Sequence, residues 1–235
     1  MTADSQLTVL SNYDILKRTL HKDGISFVLQ AGARYARGVW FDSRHGTRTS
    51  TRIALTEKLT IAGDRETGHD LVPMPVGPFY DALRKFHVPT EGTFIDFGAG
   101  NARVLLLAAE FGFRSVVGVE FAKELCELGE ENIAAYRKRR GDGLEARMVC
   151  IDAALYEIQP DERVFFFFNP FDADVLRPVI ANIERSVAVR PRDAWIIYSK
   201  PRHEEVLESL PNCWEKAGET TYRGFSRIIA YRSRP

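Results

Sequence analysis

Four polar side chains stand at, or directly after, the expected carboxyl ends of apolar strands. They are Asp96, Glu120, Asp152 and Asn169. In an open parallel sheet, ligands bind outside the carboxyl ends of the strands, where the order of the strands reverses. We therefore expect these side chains to converge on one ligand, although they lie far apart in the sequence.

The residue types at these positions match the functional groups of a nucleoside. Glu120 has two carboxylate oxygens, which can accept hydrogen bonds from both hydroxyls of a ribose. Asp152 can accept a hydrogen bond from the exocyclic amine of an adenine. Gly98 and Gly100 follow the first strand, and their lack of a side chain lets the backbone pass close to a ligand. The pattern predicts a nucleoside site.

A dinucleotide would suit most of these positions, so two residues decide between the ligands. The Gly-x-Gly-x-x-Gly fingerprint of dinucleotide sites needs a third glycine, and Arg103 stands in its place. Asp96 would also place a negative charge beside the glycine turn, where it repels a pyrophosphate and attracts an ammonium group. S-adenosylmethionine carries such an ammonium group. The sequence therefore favours this cofactor, and an NAD-dependent reductase is the alternative.

Strand and helix patterns alternate from Thr93 to the end of the chain, which is typical of a parallel sheet covered on both faces. The expected strands are 93–97, 115–119, 146–151, 163–168, 193–199, 214–220 and 225–232. The last two are joined by a turn, so we expect them to form an antiparallel hairpin at the edge of the sheet. The predicted fold is a three-layer, Rossmann-like α/β sheet of seven strands.

The part of the chain before the first proline cluster follows a different pattern. Residues 13–20 and 25–35 have helical spacing, with glycines as interruptions, and residues 41–50 are polar and rich in turn formers. We expect residues 1–72 to form a cap of short helices and loops that shapes a substrate pocket. Residues 73–235 are then the ligand-binding domain, which begins with a short proline-containing helix.

The charges of the chain balance, with 32 Lys and Arg against 32 Asp and Glu. A nucleic acid is therefore not expected as a partner on the ground of global charge. One local stretch departs from this balance, because between residues 31 and 53 a single acid, Asp42, accompanies several arginines. They are Arg34, Arg37, Arg44, Arg48 and Arg52. Two interpretations stay open, a solvated basic face and a surface for an acidic substrate.

The cysteine, histidine and hydropathy patterns bear on two further questions, whether the protein binds a metal and where it is located. The three cysteines and five histidines lack metal-ligand spacing, so we expect no metal site. His45 and His69 are the best histidine candidates for a pocket, because the predicted cap contains them. The sequence shows neither a signal-peptide pattern nor an apolar run long enough to span a membrane, so we expect a cytoplasmic protein without a membrane partner. The sequence does not indicate an oligomeric state.

Several of these motifs resemble those of a known enzyme family. Asp96-Phe97-Gly98-Ala99-Gly100, Glu120, Asp152 and Asn169-Pro170-Phe171 are similar to the successive motifs of class I S-adenosylmethionine-dependent methyltransferases, from about Gly92 to the C-terminus. The segment FIDFGAGNARVLLLAAEFGFRSVVGVEF is more narrowly similar to Dot1-like and other lysine methyltransferases, and to uncharacterised bacterial members. Lysine methyltransferases of this kind tend to have an aromatic residue where this chain has Leu71, which is a departure from that narrower pattern.

The resemblance implies a binding role for several residues. The cofactor-binding residues that it implies are Asp96, Gly98, Gly100, Asn101, Glu120, Phe121, Asp152 and Ala153. The first three would hold the methionine part, Glu120 the ribose, Phe121 the adenine face and Asp152 the adenine amine. A purely structural alternative for Asp152 is that it caps the helical turn that follows it.

The resemblance also implies catalytic residues. Asn169, Pro170 and Phe171 resemble the Asn-Pro-Pro-aromatic motif of amino-methyltransferases, in which the Asn side chain and the next carbonyl accept hydrogen bonds from the attacking nitrogen. One proline of that motif is missing, and a simple strand-to-helix turn is the alternative. We expect Asp172 and Tyr198 to line the substrate side of the same pocket.

These observations predict an enzyme that methylates an amine on a small molecule with S-adenosylmethionine. Two alternatives remain. The acceptor amine could belong to a lysine of a protein, or the chain could be a methyltransferase-like protein that binds the cofactor without turnover.

Overall fold

The computed structural model describes residues 8–9, 12–54, 59–60, 71–141, 143–211, 213–222 and 226–234. In chain order the elements are β1 (Thr8–Val9), α1 (Asn12–His45), β2 (Ile53–Ala54), α2 (Val76–Lys85), β3 (Thr93–Phe97), α3 (Arg103–Phe111), β4 (Ser115–Glu120), α4 (Lys123–Arg140), β5 (Glu145–Cys150), a 3₁₀ turn (Ala153–Leu155), β6 (Glu162–Phe167), α5 (Ala173–Val189), β7 (Ala194–Ser199), α6 (Glu204–Glu208), β8 (Trp214–Tyr222) and β9 (Ser226–Ser233).

The predicted sheet of seven strands is confirmed, with the strand order β5-β4-β3-β6-β7-β9-β8. The first five strands in that order are mutually parallel, whereas β9 pairs antiparallel with both β7 and β8. The strand order reverses at β3, because β4 lies on one side of it and β6 on the other. The carboxyl ends of these three strands therefore border the crevice in which an open α/β sheet binds ligands.

Helices cover both faces of the sheet, as the alternation of strand and helix patterns predicts. Every residue of β3 is buried, and successive side chains point to opposite faces. Phe94 packs in the core shared with Leu105 of α3, whereas Ile95 packs in the core shared with Ile180 of α5. This two-sided burial explains why apolar residues follow one another directly in β3, at 94–95, and in β6, at 164–167, rather than alternating with polar residues.

The N-terminal part differs from its prediction, because α1 is one helix of 34 residues. It runs through Gly24 and Gly32, which were expected to interrupt it, and through the first half of the segment expected to form turns. A glycine inside a helix costs only about 0.5–1 kcal/mol. Packing of the later turns offsets this cost, because Phe41 and His45 are 3% and 1% exposed. The interruptions expected at Gly24 and Gly32 are therefore wrong, whereas the role of this segment as a cap stays a prediction.

The chain leaves α1 through a loop that Asp42 organises. Its carboxylate accepts hydrogen bonds from the backbone amides of Thr49 and Ser50 and from the hydroxyls of Thr47 and Thr49. Local bonds of this kind suit aspartate in turns. Ile53 of β2 bridges to Leu71, and Phe41 and Met74 share the core of the sheet. The proposed boundary at residue 72 stays a prediction.

None of the described helices is long and apolar enough to cross a membrane.

Candidate functional site

A cleft opens at the carboxyl ends of β3, β4 and β6, and its empty space is about 1060 Å³ including the mouth. Its lining includes the turn after β3, which we call the floor, and residues 71–74, which we call the wall. The predicted residues that line it are Asp96, Gly98, Gly100, Asn101, Glu120, Phe121, Asp152, Ala153, Asn169, Pro170 and Phe171. The structure thus brings the predicted cofactor and acceptor motifs into one cleft.

The two predicted substrate-side residues do not line this cleft. Tyr198, at 1% exposure, lies behind Asn169, and its hydroxyl donates to Asn169 Oδ1 at 3.3 Å. Asp172 is half-buried at the start of α5, with its carboxylate 3.6 Å from His203 Nε2. Tyr198 can therefore act on a substrate only through Asn169.

The glycine turn is shaped by close contacts as well as by its backbone angles. Gly98 has φ +76°, and a Cβ atom there would lie 2.2 Å from Cβ of Pro170. Gly100 has φ +54°, and a Cβ atom there would lie 2.1 Å from Cδ1 of Leu71. Glycine is needed at both positions, because a side chain would collide with the acceptor motif or with the wall of the cleft.

Asp96 is a buried carboxylate that faces the cleft, with an exposed fraction of 2%. Among the described residues, none donates a hydrogen bond to it. Burial raises the pKa of Asp96 well above its usual range, and the nearby charge of Glu120 raises it further. Burying a carboxylate without partners is costly, so a cation placed in the cleft beside Asp96 would be stabilised.

Glu120 stabilises the backbone around the glycine turn, a role that its position in the sequence did not reveal. Its Oε2 atom accepts from the amide of Gly100 at 2.8 Å, and its Oε1 atom accepts from the amides of Phe121 and Ala122 at 3.0 Å. Burial raises the pKa of Glu120, and these amides partly offset that rise. The carboxylate therefore fixes the glycine turn, and its Oε2 atom keeps a lone pair for a ligand.

Asp152 has the structural role that the sequence offered as an alternative, that of a cap. This role leaves the side chain able to bind a ligand as well. It caps the 3₁₀ turn, since its Oδ1 atom accepts from the amide of Ala154 at 2.9 Å. Its Oδ2 atom accepts no hydrogen bond from the described residues, and the side chain still lines the cleft. Asp152 is thus held in place by one oxygen while the other is available to a ligand.

Asn169 adopts a strained backbone conformation, with φ +45°. Non-glycine residues in the left-handed region cost free energy and concentrate at functional sites. The side chain is 9% exposed, and the hydrogen bond from Tyr198 fixes its orientation. Phe171 packs edge-on against Phe167, which ties the motif to the core. The amide is thus held rigidly at the edge of the cleft.

Arg103 has a role that the sequence analysis missed. It is 4% exposed, and its guanidinium donates to the Met74 carbonyl at 2.6 Å and to the hydroxyls of Thr49 and Ser50 at 2.8 and 3.2 Å. Burial lowers the pKa of Arg103 to about 10. One signal was present, because an arginine that begins the apolar helix RVLLLAAEF needs buried partners. Arg103 fastens the N-terminal segments to the floor of the cleft.

Asn101 takes part in a second connection to the N-terminal segments. Its side-chain amide donates to the Arg48 carbonyl at 3.2 Å, and the amide of Arg48 donates to Asn132 Oδ1 at 2.7 Å. Asn132 closes the ring by donating to the Asn101 carbonyl at 3.0 Å. The side chain of Asn101 is therefore used for structure, and its contribution to the cleft comes from its backbone and its position.

Of the two predicted histidine candidates, only His45 lies among the described residues, and it does not line the cleft. His45 is buried between the rings of Phe41 and Tyr136, at centroid distances of 4.5 and 5.0 Å. Burial lowers the pKa of His45. His69 lies outside the described residues. Within the described part of the chain, no group of His, Cys, Asp or Glu could hold a metal ion.

Comparison with known proteins supports the fold. No family model matches the sequence. The chain is similar to the candidate methyltransferase yhhF from Escherichia coli, with 18% identity over 67% of this chain and 82% of that one and a TM-score of 0.51. A candidate RNA methyltransferase, PH1948 from Pyrococcus horikoshii, shows 16% identity over 68% and 83% of the chains and a TM-score of 0.50. The glycopeptide N-methyltransferase MtfA shows 11% identity over 68% and 96%, with a TM-score of 0.50.

The fold predicted from the motifs, that of the class I methyltransferases, is thereby confirmed. The identities are too low to transfer a substrate. Because one of these structures is described as a candidate RNA methyltransferase, the expectation that no nucleic acid is bound gains no support from the comparison.

Proposed function

We propose that this protein is an S-adenosylmethionine-dependent methyltransferase that acts on an amine nitrogen of a small molecule. The observation that carries the proposal is the buried carboxylate of Asp96, which accepts no hydrogen bond from the described residues, in the cleft that Asn169 and Pro170 also line. A carboxylate in this position suits the ammonium group of the cofactor and opposes a pyrophosphate. A lysine of a protein is the alternative acceptor.

The residues of the cleft fit this cofactor at several points. Asp96 would bind the ammonium group, and the turn from Gly98 to Gly100 leaves room for the methionine part. The free lone pair of Glu120 Oε2 would accept from one ribose hydroxyl, which is less than the two bonds first expected. Asp152 Oδ2 would accept from the adenine amine. The cofactor supplies a methyl group that is already activated by its sulfonium.

The acceptor side depends on positioning rather than on acid-base chemistry. Methyl transfer by in-line displacement needs a neutral nucleophile held about 3 Å from the methyl carbon. Asn169 Oδ1 and the backbone carbonyl of Pro170 are acceptors at the edge of the cleft, and they would orient the lone pair of an amine. The close approach of Gly98 and Pro170 supports this proposal, because it brings Pro170 beside the turn that would hold the methionine part.

Calorimetric titration with S-adenosylhomocysteine tests the proposal. We expect binding by the wild-type protein, and a loss of about tenfold or more in affinity for Asp96→Asn, because a charge-assisted bond to the ammonium is lost. Glu127→Gln is a matched control, since Glu127 lies on the exposed face of α4 and its substitution also removes one carboxylate. Absence of binding by the wild type would overturn the proposal.

A further inference from the structure

A second groove lies between α1, α2 and α3, and its empty space is about 820 Å³ including the mouth. We call it the aromatic groove. The residues of α1 that line it are Arg37, Trp40, Phe41, Arg44 and His45. Because these positions are spaced by about one helical turn, their side chains lie on one face of the helix. Among the described residues, none lines both the aromatic groove and the cleft.

Two accessible aromatic rings line the groove from different helices. Trp40 in α1 is 63% exposed, and Tyr80 in α2 is half-buried. Arg44 lies over the Trp40 ring, with 5.5 Å between its guanidinium carbon and the ring centroid. The ring of Tyr80 stacks on Phe111 at a centroid distance of 6.1 Å, which holds it in place. Aromatic side chains on two sides of a groove suit a flat aromatic ligand.

His45 brings to the groove a buried polar atom that has no partner. Its side chain is 1% exposed, and its Nδ1 atom takes part in no hydrogen bond. Burial lowers the pKa of His45, so the imidazole is neutral at pH 7 and carries one proton. Glu110 Oε1 lies 3.9 Å from Nε2 and favours the proton on that nitrogen. Nδ1 is then an acceptor that lacks a donor, which is a costly state for a buried atom.

The charged residues of the groove favour a ligand with one negative charge. Arg37 and Arg44 are exposed and form no ion pair with the described residues. The Arg37 side chain reaches α2, because its Nη1 atom would lie 3.3 Å from a Cβ atom on Gly77. Glu110 is the one acid among the described lining residues. With His45 neutral, two cations and one acid leave a single positive charge, which suits a carboxylate.

We propose that the aromatic groove is a second ligand site, for an aromatic carboxylate that also carries an N–H or O–H donor. Its ring contacts Trp40 and Tyr80, and its carboxylate contacts Arg37 and Arg44 at the mouth. Its donor completes the hydrogen bonding of His45 Nδ1. The site does not depend on the proposed methyltransferase function, because the groove and the cleft have different linings.

Calorimetric titration with three probes tests each feature of the ligand. Indole-3-acetate has the ring, the carboxylate and the N–H donor, whereas indole lacks the carboxylate and 1-methylindole-3-acetate lacks the donor. We expect measurable binding of indole-3-acetate by the wild-type protein. Indole should bind about tenfold more weakly or worse, because a charge-assisted bond is lost. 1-Methylindole-3-acetate should bind about fivefold more weakly, because Nδ1 again lacks a donor.

Two exposed residues of the groove can be changed without disturbing the core. We expect Arg37→Gln and Trp40→Ala each to weaken the binding of indole-3-acetate by about fivefold or more. Arg177→Gln and Val189→Ala are the matched controls, since both residues are exposed on α5, which packs on the other face of the sheet. Their affinities should stay within about twofold of wild type.

Three results would overturn the proposal. They are the absence of binding by the wild type at millimolar indole-3-acetate, equal affinities for indole and indole-3-acetate, and groove variants that bind as well as their controls. Binding that is lost in Asp96→Asn but kept in the groove variants would place the probe in the cleft, which is the third of these results. S-adenosylhomocysteine is titrated separately, so its failure to bind would count against the proposed methyltransferase function alone.

Discussion

Gly98, after β3, and Pro170, after the neighbouring strand β6, lie so close together that a Cβ atom on Gly98 would lie 2.2 Å from Cβ of Pro170. The first residue of the predicted cofactor turn thus sets the position of the predicted acceptor motif. The glycine turn and the acceptor motif are therefore in direct contact, so a substitution that shifts one of them also shifts the other.

We expect Gly98→Ala to lower the free energy of unfolding by about 1–3 kcal/mol, because it adds both a collision and a left-handed alanine. Gly143→Ala is the control, since its Cβ would meet no atom within 4 Å. Chemical denaturation measures both variants. Equal stability of the two would show that Pro170 can move away from the turn without cost.

We expect Asn169→Ala to reduce turnover by about 100-fold or more while cofactor affinity changes little, because it removes an acceptor that orients the nucleophile. Tyr198→Phe should reduce turnover less, since it removes only the hydrogen bond that fixes Asn169. Single-turnover rates with labelled cofactor measure both variants. Full activity of Asn169→Ala would contradict the assignment of the acceptor site.

We expect Arg103→Met to destabilise the protein by roughly 2–4 kcal/mol, because the Met74 carbonyl and the hydroxyls of Thr49 and Ser50 lose a charged donor. Arg103→Lys should fall between this variant and wild type, since an ammonium cannot reproduce the planar fork. Thermal unfolding measures the series, with Arg84→Met as the surface control. Wild-type stability of Arg103→Met would show that the N-terminal segments are held mainly by their apolar contacts.

The raised pKa of Asp96 predicts the sign of a pH effect on stability. Between its ordinary pKa and its raised pKa, the folded state binds more protons than the unfolded state, so stability falls as the pH rises through this window. We expect Asp96→Asn to be more stable than wild type at pH 8, with the difference shrinking toward pH 4. Chemical denaturation at several pH values measures this difference in stability. A difference that does not change with pH would contradict the raised pKa of the buried Asp96 carboxyl.

The sheet could be predicted because its strands carry their own signals, whereas the site depends on contacts between distant segments. β3 and β6 contain consecutive apolar residues, at 94–95 and 164–167, and the acids at the strand ends mark the ligand edge. Nothing in the local sequence shows that the backbone amides of Gly100 and Phe121 donate hydrogen bonds to the carboxylate of Glu120. The glycines of α1 suggested breaks, because local propensity does not include the packing of Phe41.

The order β7-β9-β8 at one edge of the sheet has a consequence for synthesis on the ribosome. β7 is buried throughout, and its outer hydrogen bonds are made to β9, which ends at Ser233. A nascent chain that has completed β7 but not β9 presents an unpaired, apolar edge to its surroundings. This edge of β7 is therefore covered only after β9 has left the exit tunnel and paired with it.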